Sequence, residues 1–265
     1  MRKMETNAGY VDGTDGKVFW TYDAETETVV VRGDGTRTNA GTSASSFPTE
    51  TEHVRFENFR MEGSWDYMFS GLRNLISIDF DGVEMINATS IRNMFYHCES
   101  LTSLELEKFD TSQVTDMGAM FEGCESLTGL DLGSFDTGHV THMGYMFSGC
   151  ASLTTLKLGS FDTSYVTYTG SMFEGCKNLK SLHTPGRMNK EDSVSLPGIF
   201  YVEGKEDRLT TMLTADFSGV TLRKMETNAG YVDGTDGKVF WTYDPKIKTA
   251  LVTGKGTRVK TYGAV

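Results

Sequence analysis

The pair Met-Phe begins at Met68, Met94, Met120, Met146 and Met172, each 26 residues after the one before. Two further lines keep the same interval: Leu75, Leu101, Leu127, Leu153 and Leu179, then Ile78, Leu104, Leu130, Leu156 and Leu182. A fourth holds Phe80, Leu106, Leu132 and Leu158. Leucine-rich repeats have periods of roughly 20–29 residues, and no single unit of that size can bury its own apolar face. Stacked units bury a continuous core together. The period therefore commits the middle of the chain to a solenoid.

Each repeat contains two finer periods. "LTSLELEKF" from Leu101 ends in alternation at Leu104 and Leu106, which reads as a short strand with one buried face. Val114, Met117, Phe121 and Cys124 step by three, four and three, which puts them on one face of a helical turn. One strand and one helical turn per unit predict an α+β solenoid of 26-residue leucine-rich repeats with β-rich flanking segments.

A second repetition frames the first. Arg2–Asp23 and Arg223–Asp244 are identical throughout, 221 residues apart, and beyond them "TVVVRGDGTR" from Thr28 answers "TALVTGKGTR" from Thr249. This predicts a segment of a longer tandem array, with Met1 supplied as a start. The expected organisation is a β-rich flank over 1–39, a connection and N-terminal cap over 40–64, and the solenoid over 65–186. A β-rich C-terminal cap follows over 187–222, and 223–265 is a second flank that starts the next module. "KVFWTYD" from Lys17 and "TVVVRG" from Thr28 read as a β-hairpin, "AGTSASSFPTETE" from Ala40 as a polar connection, and "GIFYVEGKEDRLTTML" from Gly198 as two cap strands around a glycine turn. "GDGT" from Gly33 lacks a following helix pattern and reads as a turn instead of a phosphate loop.

The string "SLTSLELEKFDTSQVTDMGAMFEGC" from Ser100 resembles the BspA-like leucine-rich repeat of bacterial surface proteins, whose mark is Phe-Asp-Thr-Ser-x-Val-Thr-x-Met-x-x-Met-Phe-x-x-Cys. Repeats beginning at Phe109, Phe135 and Phe161 match it, the last with Thr169 in place of Met. The resemblance implies a secreted or cell-surface protein, often of a host-associated or anaerobic bacterium, that attaches to proteins, sugars or other cells. It implies an extracellular protein or glycan as partner, host-derived ligands among them, and it names no single target.

Composition narrows the rest. A formal net charge of −11, with no basic run interleaved with aromatics, argues against nucleic acid as a partner. No stretch approaches the roughly 18 apolar residues of a membrane span, so no insertion is expected from this segment. G-x-S-x-G, H-E-x-x-H and the P-loop are absent, and the expected protein is not an enzyme and uses no cofactor. Cys98, Cys124, Cys150 and Cys176 stack one per repeat, within disulfide range of one another. The equivalent slot in the first repeat is Leu72, so they read as apolar packing, and metal ligation would want paired ligands at short spacing. Asp110, Asp136 and Asp162 precede the predicted helical turn and read as local caps of free N–H groups in place of Ca²⁺ ligands or an acid–base pair. His139 and His142 occur in one repeat only and read as a solvated pair.

Core slots stay constant while the outward strand positions vary. They are Asp79, Glu105, Asp131, Lys157 and His183, with Ser77, Ser103, Gly129, Thr155 and Ser181 two residues earlier. Solenoids use such a face as an extended binding surface. The candidate binding residues are Asp79, Ser103, Glu105, Asp131, Thr155, Lys157 and His183. The function expected is non-enzymatic adhesion or ligand binding through that face, with a structural spacer as the rival reading.

Overall fold

The computed structural model describes residues 7–10, 17–37, 46–191, 193–225, 228–231, 239–244 and 249–254. The polar connection read from Ala40 lies outside them as far as residue 45.

The repeats form a β-solenoid of about six turns. At its N-terminal end β1 (Asn7–Tyr10), β2 (Phe19–Asp23) and β3 (Thr28–Arg37) make an antiparallel meander. β3 then pairs in parallel with β4 (His53–Ser64). Gly33 has φ 123, and a Cβ there would fall 2.0 Å from the Lys17 carbonyl oxygen. Only glycine allows that approach, so "GDGT" continues β3 through a register shift instead of turning the chain. β4 is the first layer of the stack. It pairs in parallel with β5 (Ser77–Asp79) along one half and with β6 (Val83–Ser90) along the other.

Two coils beyond β5, β7 (Gly129–Asp131), β8 (Thr155–Lys157) and β9 (Ser181–His183) form a parallel ladder with a register of 26 residues. The cap follows as the hairpin β10 (Val194–Val202) and β11 (Lys205–Leu213), a 3-10 turn at Ala215–Phe217, and β12 (Thr221–Lys224). β12 lies antiparallel between β9 and β10. It starts within the span read as the cap and ends inside the second flank copy. That copy folds as its own meander of β13 (Asn228–Tyr231), β14 (Val239–Asp244) and β15 (Thr249–Gly254). Its pairing repeats the first copy's: Asn7↔Tyr22 becomes Asn228↔Tyr243.

The α part of the predicted class is corrected. Among the described residues the only helix is the 3-10 turn. The Met-Phe segment is a train of overlapping β-turns. In the third coil Met120, Glu122 and Cys124 donate their N–H groups to the carbonyls three residues back. The residues alternating with them, Ala119, Phe121 and Gly123, donate to Gly144, Met146 and Ser148 of the next coil at 2.8–2.9 Å. The alternation needs a left-handed backbone at Ala119 (φ 53) and Gly123 (φ 74), as in type II turns. Spacing explains the choice. Strands stack about 4.8 Å apart, whereas a helix with its side chains is about 10 Å across and could not keep that spacing on the opposite face. Turns spend half of their N–H groups between coils, so they stack as tightly as the strands do.

Side chains repeat with the backbone. Phe69, Phe95, Phe121, Phe147 and Phe173 are all buried and form a ladder of parallel rings, with centroids 5.3, 5.5, 5.8 and 5.9 Å apart and planes within 8°. The Met, Leu and Phe lines of the repeat close the core around them.

Candidate binding surface

The strand ladder sets the outward residues side by side. Gly129, Asp131, Thr155 and Lys157 project from β7 and β8, flanking the buried Leu130 and Leu156. Asp131 Oδ2 lies 2.6 Å from Lys157 Nζ, and this bond holds the Asp131 carboxyl below its usual range while raising the Lys157 ammonium. The two opposite charges thus satisfy each other. His183 on β9 is taken up by the cap, its Nδ1 3.2 Å from Thr221 Oγ1 on β12. At the other end Ser77 on β5 meets His53 Nδ1 at 2.9 Å.

Between these two parts the ladder opens. Ser103, Leu104 and Glu105 belong to no strand, and among the described residues none of them makes a backbone hydrogen bond to a neighbouring coil. β5 and β7 therefore belong to separate sheets. The core beneath changes at the same place. The slot filled by Leu106, Leu132 and Leu158 holds Phe80 in the first coil, its ring stacked on Phe56 at 5.7 Å and edge-on to Phe109 at 4.8 Å. Ile78 and Leu104, in the slot where Leu156 and Leu182 are wholly buried, are only partly covered.

The opening is a cleft of about 300 Å³. It brings together Asp79, Ser103 and Glu105 of the expected binding residues, with Ile78, Leu104 and Phe80 as an apolar floor. Asp131, Thr155, Lys157 and His183 lie outside it. Asp81 and Glu107 add two carboxylates to the rim, and the single ammonium, Lys108, lies 2.5 Å from Asp81 and lowers its pKa. Four carboxylates against one cation make the cleft electronegative. A second hollow, of about 490 Å³ between Thr28, Val30, His53 and Arg55, shares Ser77 and Asp79 with it.

Beneath the surface the repeated polar residues hold coils together. Each thiol of Cys98, Cys124, Cys150 and Cys176 is unpaired with another sulfur and points at the carbonyl of the phenylalanine one coil back, at 3.0–3.2 Å. Burial pushes all four thiols up, Cys176 to about 12. Asp110, Asp136 and Asp162 each accept the N–H two residues ahead, at 2.9–3.0 Å, closing a tight turn without any helix to cap. The bonds from Ser112 hold Asp110 low. For Asp162 burial works upward, and the Ser164 bonds and Arg187 outweigh it.

The neighbouring threonines escaped the sequence reading. Buried Thr111 Oγ1 donates to the Asp136 carbonyl at 2.9 Å and accepts the Asp136 N–H at 2.8 Å, and Thr137 does the same to Asp162. The Thr after each ladder Asp was the available signal. A shelf of exposed tyrosines on the turn-train side also went unread. The Tyr168 ring lies 5.0 Å from His142 and 6.3 Å from Tyr145, seated on Gly144, where a Cβ would fall 2.1 Å from Tyr168 Cε1. His139 turns away from that group to the Ser112 carbonyl at 2.9 Å.

The repeats have relatives under one description. Residues 64–185 match the family described as "Mycoplasma protein of unknown function, DUF285". That span takes in all five Met-Phe coils and leaves out both flank copies and the cap hairpin. No curated protein and no solved structure matches the chain.

Proposed function

We propose that the solenoid is a non-enzymatic binding module of the BspA-like kind, displayed at a cell surface, that recognises an extracellular protein or glycan through its outward strand face. The cleft between the first and second coils carries the reading. Along this face it is where the ladder opens, apolar side chains come to the surface, and three variable residues, Asp79, Ser103 and Glu105, converge. Its volume sits at the small end of ligand sites, which run about 300–1,000 Å³. Its charge favours a ligand group that is cationic or rich in hydrogen-bond donors, such as a lysine or arginine side chain of a protein partner. The ladder further along contributes a flatter margin in which Asp131 and Lys157 have already neutralised each other.

The test is a screen of the labelled chain against immobilised matrix proteins, mucins and glycans, with Asp79→Lys/Glu105→Lys beside it. A second variant, Asp131→Lys/Lys157→Asp, exchanges the paired charges and preserves the ion pair. Binding lost at least tenfold in the cleft variant and retained in the exchanged pair is the expected result. Binding indifferent to the cleft variant, or none at all to any surface, would leave the spacer reading in its place.

A further inference from the structure

The second flank copy begins with Arg223, Lys224 and Met225, identical to Arg2, Lys3 and Met4. By sequence these residues open a new module. By structure they finish the old one. Arg223 pairs with Ser181 on β9 and with Tyr201 on β10, and Lys224 pairs with Phe200. The Lys224 N–H donates to the Lys180 carbonyl at 2.9 Å, and the Met225 N–H to Ile199 at 2.8 Å. Side chains follow the backbone. The Arg223 guanidinium holds Glu203 Oε1 at 2.6 and 2.9 Å, and Lys224 Nζ reaches the Lys177 carbonyl of the last coil at 2.8 Å. Leu222 and Met225 are buried. A Cβ on Gly198 would meet the Lys224 stem at 2.9 Å, so the cap strand is shaped around that side chain.

We infer that modules of this sequence join by sharing a strand. The Arg-Lys-Met of each flank closes the sheet of the solenoid before it, and the partner of that sheet edge is a second copy of the same module. Three facts carry this. The parallel ladder β7–β8–β9 would end in an open edge without β12, and open edges pair with whatever strand is offered. The strand that closes it is shared: Thr221 and Leu222 belong to this unit, and Arg223 and Lys224 to the neighbouring copy's repeat unit. Only two residues, 226 and 227, separate Met225 from β13, where the next meander starts with the same register as the first copy. Two residues leave little length for a linker between the shared strand and the next meander. Consecutive modules would therefore form one mechanically continuous rod, and the stability of each solenoid end would depend on the flank that follows it.

The test reads the last coil from the flank. In the full chain under native conditions, the labelling rate of Cys176 by a small thiol reagent is compared with that of Cys98. Lys224→Pro removes the N–H that bonds to Lys180 and should raise Cys176 labelling at least tenfold while leaving Cys98 unchanged. Lys3→Pro, the same change in the identical first copy, should leave Cys176 unchanged. Should Lys224→Pro prevent folding, Arg223→Glu sets two carboxylates together at Glu203 and should raise the same rate severalfold. A two-module chain, residues 1–222 followed directly by residues 2–265, should unfold on heating as one cooperative unit, with a calorimetric enthalpy close to its van't Hoff enthalpy. Equal Cys176 labelling in the wild type and the second-copy variants, or a calorimetric enthalpy about twice the van't Hoff value in the double module, would overturn strand sharing.

Discussion

Phe121→Ala lowers the unfolding free energy by about 3–5 kcal/mol, the usual cost of emptying a large buried aromatic site. The ring is fully buried, third of five in the ladder, and stacks on Phe95 and Phe147 at 5.5 and 5.8 Å. Its neighbours cannot close the gap, because each is fixed at coil spacing by inter-coil bonds such as Phe121 N–H to Met146 and Phe95 N–H to Met120. Urea denaturation followed by tryptophan fluorescence measures the loss. Phe19→Ala, at a ring 40% exposed, serves as the control and should cost under about 1 kcal/mol. A Phe121 variant as stable as that control would mean that the coils are not stacked through this ladder.

Raising the pH under reducing conditions should weaken the fold steeply. The four thiols are buried and stay protonated well above the ordinary cysteine range. In the unfolded chain they ionise near pH 8.5. The folded pKa values are raised, so the thiols' contribution is whole below about pH 8.5 and is lost as pH climbs toward the folded values. Each thiol above its unfolded pKa costs about 1.4 kcal/mol per pH unit, so roughly 5 kcal/mol has gone by about pH 9.5. Lysine and tyrosine titrate mainly above about pH 10. Chemical denaturation at two pH values reads the slope, and Cys98→Ala should reduce the pH-dependent loss by about a quarter. A flat profile would mean that the native fold already admits thiolates, contrary to their burial.

The stacking direction of the chain was legible because every repeat writes it again. The Met, Leu, Phe and Cys slots, set only by the 26-residue interval, are the residues that line the core. The turn train was hidden by its own geometry. Overlapping turns bond from residue i to i+3, so Val114, Met117, Phe121 and Cys124 share a face in a turn train as they would in a helix. The glycines at Gly71, Gly123, Gly149 and Gly175, all with positive φ, were the mark that a helix interior would not have kept. His97 stands in the same slot with φ 53, which blurs the mark.

The candidate surface was half legible. Alternation identified which residues face outward, but not where the ladder would part. That depends on Phe80 replacing a leucine and on how its ring packs against Phe56 and Phe109. Nor did alternation show that His183 would be covered by β12, since that strand comes from beyond the repeats. The flank boundary was placed by sequence identity, which marks the repeat unit but not the folding unit. The two differ by three residues, Arg223–Met225, which open the repeat unit and close the sheet before it.

The architecture rests on N–H groups that run from coil to coil in place of running along a helix, and amide hydrogen exchange of the native chain followed residue by residue tests it most directly. Phe69, Phe95, Phe121 and Phe147 each donate to the following coil. Phe173, in the last coil, has no acceptor opposite it among the described residues, and a hollow of about 420 Å³ lies between this segment and the start of β10. The account predicts slow exchange at the first four amides and much faster exchange at Phe173. In a helical repeat Phe173 would donate to Thr169, four residues back, and would be protected like the rest. Equal protection at all five positions would contradict the β-solenoid.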